Sequence, residues 1–457
     1  MQWKKRLLAC ALSAALMTAP VLATEGEGQG PDPWAYPYLA DSYALGLIDD
    51  DYPSYIQETV TEEQLAAMTE TVSAKLALLG LEKRESAPDG EGLVVDRTRG
   101  GVVNALYQAA ADWEIDGVEQ GPEAFLAGLG VLCGDGTGSR LDRLCTYQEA
   151  MVLADRLILA VYDANDAGAR GLLWKAVNGD TTLYLLGTVH VDRDNLYPMH
   201  HRVREAVDAS SEVIFEVDFN NPEDLQAYAA MQVYSDGTTL KDHIPEELYT
   251  RTVADFAALG MDEATVASLK PWVLALSLNN VTMQDESTGS NAMAMDLYVN
   301  ARAANAGKTI GAAESYAFQG QIFDTLSEDY QLQMLEGSLG LLEAAMSGEE
   351  TGTDPQTQAA LEEQEKLMSA MMDAWKRGDL EAFAAAYDKK AILESEDELN
   401  RRLFTDRDPG MIDCAASYLA RNDGKTYFMA VGAGHMTDPG GIVSGLRALG
   451  YTVEPAA

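Results

Sequence analysis

Residues 181–190 read TTLYLLGTVH, and residues 425–435 read KTYFMAVGAGH. In each, an apolar run of the kind that forms a fully buried strand reaches a histidine through the same spacing, Gly-x-x-His. The first ends on His190 and the second on His435, in a chain of 457 residues that has five histidines. A buried strand needs no imidazole at its end, whereas a ligand site does. In an α/β sheet, ligands bind outside the carboxyl ends of the strands, where loops open a crevice. Gly187, Gly432 and Gly434 suit that setting, because a residue without Cβ lets the chain turn tightly and brings backbone close to a neighbour.

The pattern around these two stretches is that of an α/β fold. LLWKAV and TTLYLLG flank Asn178-Gly179-Asp180, and Asn-Gly tolerates the positive φ that a tight hairpin turn requires. Further strands are expected at EVIFEV (212–217), KTIGAAE (308–314), TYFMAV (426–431) and a short YTV near the end. Helices are expected over about 198–208 and 440–449. Between the halves of this sheet lies a large helical insertion, including the stretch from Pro355 to Ala391. Its methionines, in LMSAMMDAW, fall at helical spacing and read as core rather than as ligands. Residues 32–162 are patterned differently, as short helices separated by Gly- and Asp-rich turns, and the polar stretch DANDAGARG (163–171) reads as a linker. The fold class is therefore α/β, a mixed sheet with helices and a large helical insertion, preceded by a mainly α-helical N-terminal domain.

Residues 1–23, MQWKKRLLACALSAALMTAPVLA, place Lys4, Lys5 and Arg6 before an apolar stretch that ends at the small Ala23, as a secretory signal does. The mature chain is expected to be secreted or held in the cell envelope. No other segment offers the roughly twenty apolar residues of a membrane span. Loss of the three cations would take the formal net charge from -41 to -44, which opposes nucleic acid and anionic membranes as partners. Cys133 and Cys145 are the close cysteine pair and are expected to form a disulfide in an oxidising compartment. No zinc-finger spacing occurs.

Four strands of this reading end on groups able to do chemistry: His190, then Glu216 with Asp218, then Glu314, and lastly His435. Each has a plainer alternative. A histidine after a strand can be a hydrogen-bonded structural residue, Glu216 can pair with Arg407, and Glu314 can cap the next helix. Recurrence of the strand-Gly-x-x-His unit favours a site. Two imidazoles with carboxylates at converging strand ends are a ligand set for a first-row divalent cation such as Mn, Co or Zn. His200 and His201, in PMHHRV, and His243 read as surface residues.

LLWKAVNGDTTLYLLGTVHVDRDNLYPMHHRVREAVDASSEVIFEVD and AVGAGHMTDPGGIVSGLRALGYTV resemble the opening and closing motifs of the TraB/GumN family, which includes the Tiki proteases. The resemblance covers roughly residues 172–455. Between these motifs, AMDLYVNARAANAGKTIGAAESYAFQ is similar to the family's Asp-led helix, strand and Glu-Thr-x-x-x-Gln segment, which brings Asp296, Glu314 and Gln319 into the expected site. The family's Arg-Asn is here Arg407-Asp408, its Thr after the glutamate is Ser315, and His200 and His201 stand where non-histidine residues are usual. The resemblance implies an EreA/ChaN-like metal-dependent hydrolase fold. The first and third helical units before residue 162 resemble S-layer homology repeats, which implies attachment to cell-wall polymer.

The expected activity is hydrolysis of a peptide or small acyl substrate. His190, His435, Glu216 and Glu314 would hold the metal, a carboxylate would act as general base, and Arg407 would face the oxyanion or a substrate carboxylate. No G-x-S-x-G and no cysteine beside a histidine supplies a nucleophile. Two alternatives stand beside it: a metal-free variant in which a histidine activates water, and a non-catalytic envelope protein that sequesters a peptide in the same crevice.

Overall fold

The computed structural model describes residues 30–85, 92–134, 138–190, 196–219, 221–283, 293–347, 355–395 and 397–456. The expected signal at 1–23 lies outside them. A six-stranded sheet forms from β1 (Leu172–Asn178), β2 (Thr181–Thr188), β3 (Glu212–Phe215), β4 (Thr309–Ala312), β5 (Thr426–Gly432) and β6 (Thr452–Pro455), in the order β4-β3-β5-β2-β1-β6. β1 and β2 are an antiparallel hairpin in which Asn178 pairs with Thr181, so Gly179-Asp180 form the turn, with Gly179 at φ 57°. Glycine, without a Cβ, takes that left-handed conformation at no steric cost. β5 inserts between β2 and β3 and runs parallel to both, and β4 runs parallel to β3. The four strands that end on candidate residues therefore point the same way.

The continuous apolar runs follow from burial on both sheet faces. Leu183, Leu185 and Leu186 of β2, Val213 and Ile214 of β3, and Phe428 to Val431 of β5 are all within 1% of complete burial. At about 1.5–3 kcal/mol for each large side chain removed from water, these strands fix the sheet centre. Helices of the insertion, among them Pro355–Arg377 and Leu380–Tyr387, close over its end. Trp375 donates its indole N–H to the Gly187 carbonyl at 2.7 Å, and Met371 and Met372 are core residues, as their spacing implied.

The N-terminal helices are built on ordinary local signals. Thr61, for example, caps Glu62–Ala77 in a reciprocal box with Gln64, which satisfies donors that a helix start leaves unpaired. Their apolar residues join those of the α/β region in one continuous core. Helix Tyr36–Ala44 lies against helix Met295–Asn305, with the Tyr298 hydroxyl donating to Asp41 at 2.6 Å and Arg302 pairing with the same carboxylate.

The expected Cys133–Cys145 disulfide is not formed. Cys145 is buried where its backbone pairs with Arg97 and Val60, and Cys133 is exposed with its thiol on the Gly130 carbonyl. Burial pushes the Cys145 thiol up to about 12, which keeps it protonated and inert.

Candidate active site at the carboxyl ends of the sheet

Thr188 of β2 lies abreast of Gly432 of β5. Parallel neighbours run about 4.8 Å apart, so His190 and His435 leave the sheet from adjacent strands at the same edge. The glycines permit the close packing there. A Cβ on Gly187 would lie 3.0 Å from the Ala433 Cα, and one on Gly434 would lie 2.5 Å from the Tyr387 hydroxyl.

Glu216 follows β3 and reaches β5. Its Oε1 accepts from the Gly432 amide at 2.7 Å and lies 3.9 Å from His435 Nε2, while Oε2 accepts from Arg407 Nη2 at 2.6 Å and Gln319 Nε2 at 3.1 Å. Burial alone would push this carboxyl up. Arg407, His435 in its protonated form and the Gly432 amide outweigh it and hold the group at about 2.

Glu314, after β4, takes Arg407 Nε on both oxygens at 3.2 and 3.0 Å, with Arg407 Nη2 and Gln319 Nε2 also on Oε2. It is thus part of a lock with Arg407, a placement that differs from its expected role as a ligand. Arg407 is 1% exposed and lodged between two carboxylates, where its fork matches their geometry. Held there, its Nε and Nη2 are turned toward Glu216 and Glu314 rather than toward a substrate carboxylate.

His190 Nε2 faces Asp296 Oδ2 at 3.3 Å. Asp296 stands in the first turn of Met295–Asn305, where the helix dipole favours an anion. Asp218, half-buried beyond Glu216, and Asp296 both act on the Tyr316 hydroxyl, whose ionisation is pushed up first by burial and then by Asp224, Asp218 and Asp296. His435, 3% exposed, is held from behind: its Nδ1 lies 2.7 Å from Asp408 Oδ1, and Lys389 Nζ lies 2.7 Å from Asp408 Oδ2. Burial lowers the Lys389 ammonium, opposed by Asp408.

The donor types are those of a divalent-cation site, although among the described residues no three of the strand-end ligand atoms lie within 4.8 Å of one another. His435 faces Glu216 and His190 faces Asp296, Glu216 is held ionised, and an Nδ1–H donated to Asp408 leaves His435 Nε2 with its lone pair toward Glu216. The structure thus brings together His435, Glu216, Glu314, Arg407 and Gln319, and separately pairs His190 with Asp296. The sequence reading missed Lys389, Tyr387 and Tyr316. Lys389 lies in YDKKAIL, where adjacent lysines carry the signature of a solvated surface, and no local signal marks its burial.

His200 corrects an expectation, being fully buried rather than on the surface. Its Nδ1 accepts from the Arg202 amide at 3.3 Å, capping His201–Ala209, and its Nε2 lies 3.0 Å from Asp166. His201 is half-buried with Nε2 3.4 Å from the same oxygen. Among the described residues, Asp166, His200 and His201 are the group of three whose ligand atoms all lie within 4.8 Å of one another, as a metal site requires. The cap assigns the His200 proton to Nε2, where it is donated to Asp166, so His200 is satisfied without an ion. His243 is exposed, as expected, and stacks on Tyr234.

A concavity of about 410 Å³ lies on the N-terminal helices, lined by Trp34, Arg99, Arg140, Arg143, Glu149 and Arg156 among others. Among the described residues no helix is long and apolar enough to cross a membrane.

Residues 172–455 match the sequence profile described as the TraB/PrgY/gumN family. The sponge Amphimedon queenslandica has a relative named metalloprotease TIKI homolog, 24% identical over 338 residues, which are 64% of this chain and 62% of that protein. The zebrafish Danio rerio protein named metalloprotease TIKI1 is 24% identical over 322 residues, 62% of each chain. The chain therefore spans about three fifths of the length of these relatives. No solved structure matches.

Proposed function

Because this chain belongs to the TraB/PrgY/gumN family, we propose that its strand-end site is that of a metal-dependent hydrolase acting on a peptide or related acyl bond. The observation that carries the reading is Glu216, ionised between Arg407 and the Gly432 amide, with Oε1 turned toward the bare Nε2 of His435. His435, His190 and Glu216 would hold a divalent cation. Such an ion, when bound, supplies Lewis acidity and lowers the pKa of water.

The remaining steps belong to the chain. Glu216, held at about 2, is too weak a base to take a proton near neutrality, where a base poised close to the working pH is most effective. It is a ligand. Glu314 is occupied by Arg407 and Gln319, and together they keep Glu216 in place. Asp296 is then the carboxylate suited to accept the proton of an attacking water. The distant relatives named metalloproteases support this reading.

The test is cleavage of a quenched-fluorescent peptide library by purified protein, with and without chelator, followed by readdition of Mn, Co or Zn. Cleavage lost with chelator, restored by one of these ions and abolished in Asp296→Asn is expected. Cleavage indifferent to both chelator and Glu216→Gln would overturn the proposal, as would no cleavage with any of the ions, the outcome that a peptide-sequestering protein gives.

A second proposal concerns the helices before the linker. The arginine-lined concavity has four cations against Glu149 in a chain of net charge -41, and the exposed Trp34 at its edge is 47% accessible. An anionic cell-wall polymer fits both features, and the chain would then reside outside the cell or in its envelope. Cosedimentation of the full chain with purified wall material, weakened in Arg99→Ala and Arg156→Ala, is the expected result, and unchanged pelleting in both variants would contradict it.

A further inference from the structure

Lys389 and Asp408 form a buried ion pair that neither the sheet nor the core requires. The Lys389 side chain is fully buried and that of Asp408 is 7% exposed. The ammonium reaches Asp408 Oδ2 at 2.7 Å and the Thr437 carbonyl at 3.0 Å, over the face of Phe404 at 5.1 Å from the ring centroid. A methionine would fill the same volume without the cost of desolvating an ammonium, so packing does not explain the charge. The other oxygen of Asp408 explains it better. Oδ1 meets His435 Nδ1 at 2.7 Å, and Phe404 packs on the imidazole with ring centroids 5.3 Å apart.

We infer that Lys389 is a positioning residue for His435, acting through Asp408 to fix which imidazole nitrogen is bare. An ionised aspartate can only accept, and Lys389 on Oδ2 holds it with Oδ1 against His435 Nδ1, so the His435 proton is kept on Nδ1 and the Nε2 lone pair is presented toward Glu216 Oε1, 3.9 Å away. An asparagine at 408 would lack this constraint, since its amide can donate as well as accept. Asp408 and Lys389 thus work as a unit: the acid selects the tautomer and the buried cation keeps the acid there. Outer partners of this kind orient ligating histidines, and their loss typically lowers metal affinity about 10–100-fold. The inference deepens the metal-site reading above and rests on it for its consequence, but the tautomer itself is a property of the metal-free chain.

The experiment uses full-length protein without metal. Side-chain ¹⁵N NMR of His435 should show a single Nδ1–H tautomer in the wild type. Lys389→Met should give a mixed tautomer and a drop in Mn²⁺ affinity of about 10-fold or more. Because Lys389→Met leaves Asp408 an unanchored buried charge, free to turn away from His435, and can destabilise the fold, Lys389→Met/Asp408→Asn is the second variant. It removes both charges, and it should regain thermal stability relative to Lys389→Met while keeping the mixed tautomer. A single Nδ1–H tautomer in Lys389→Met would overturn the inference, whatever the result of the peptide assay. A mixed tautomer in a protein that cleaves nothing would leave the positioning intact and count against the hydrolase reading alone.

Discussion

Arg407 and Glu216, far apart in sequence, meet through Nη2 and Oε2 at 2.6 Å, and the same guanidinium holds Glu314. One buried cation thus ties the ends of β3 and β4 together. Arg407→Met should cost about 3–5 kcal/mol, because removing one partner leaves buried carboxylates uncompensated. Arg407→Lys should recover little of that, since a point charge cannot reproduce contacts made by both Nε and Nη2. Chemical denaturation of the two variants checks this, and a stable Arg407→Met protein would contradict it.

Acid should unfold the site through Glu216. Its folded-state carboxyl lies at about 2, below the ordinary value of 4.5, so the folded chain binds fewer protons than the unfolded one across that interval. The contribution is complete above about pH 5 and is lost as pH falls toward 2, amounting to roughly 3 kcal/mol at most. Glu216→Gln should flatten the stability profile in this window. An unchanged acid limb in Glu216→Gln would show that other carboxylates dominate it.

Gly434 is constrained by a neighbour rather than by its own backbone. An added Cβ would meet the Tyr387 hydroxyl at 2.5 Å and Phe404 at 2.9 Å, and His435 is the next residue. Gly434→Ala should destabilise by about 1–3 kcal/mol through overpacking and weaken metal binding by moving His435. Tyr387→Phe, which deletes the nearest atom, should restore part of both when combined with it. Equal losses in the single and double variants would place the effect elsewhere.

Much of the sheet is legible in the sequence, because strands buried on both faces leave continuous apolar runs and Asn178-Gly179 marks the hairpin turn. The strand order is not, since nothing local to β5 tells that it inserts between β2 and β3. The polar groups at the ends of those strands are legible, and the Glu216–Arg407 pair is there as the plainer alternative to a ligand role. The lock between Arg407 and Glu314 is not, because it depends on two loops meeting through the fold. His200 and Lys389 were misread or overlooked for one reason: each stands among polar neighbours, and burial of a polar residue is decided by partners remote in sequence, Asp166 for the first and Asp408 for the second.

His200 should matter for stability and not for metal. Its imidazole caps His201–Ala209 and bonds Asp166, so His200→Ala should cost about 1–2 kcal/mol at neutral pH. Burial, aided by Arg170, lowers its pKa against the opposing pull of Asp166. The neutral form is the one the fold prefers, so its contribution is full above about pH 6.5 and declines as pH falls below that value. Thermal unfolding across pH 5–8 should show the gap between wild type and His200→Ala narrowing on the acid side. A gap that widens there would reverse the sign.

The account stands or falls on whether His190 and His435 serve one divalent cation. The direct measurement is metal content and Mn, Co or Zn titration of the wild-type chain beside His190→Ala, His435→Ala and His200→Ala/His201→Ala, each first shown to be folded. The account predicts a site lost in either strand-end variant and kept in the double variant at Asp166. Retention of the metal in both His190→Ala and His435→Ala, with its loss in His200→Ala/His201→Ala, would move the ion away from the sheet and contradict the proposed chemistry.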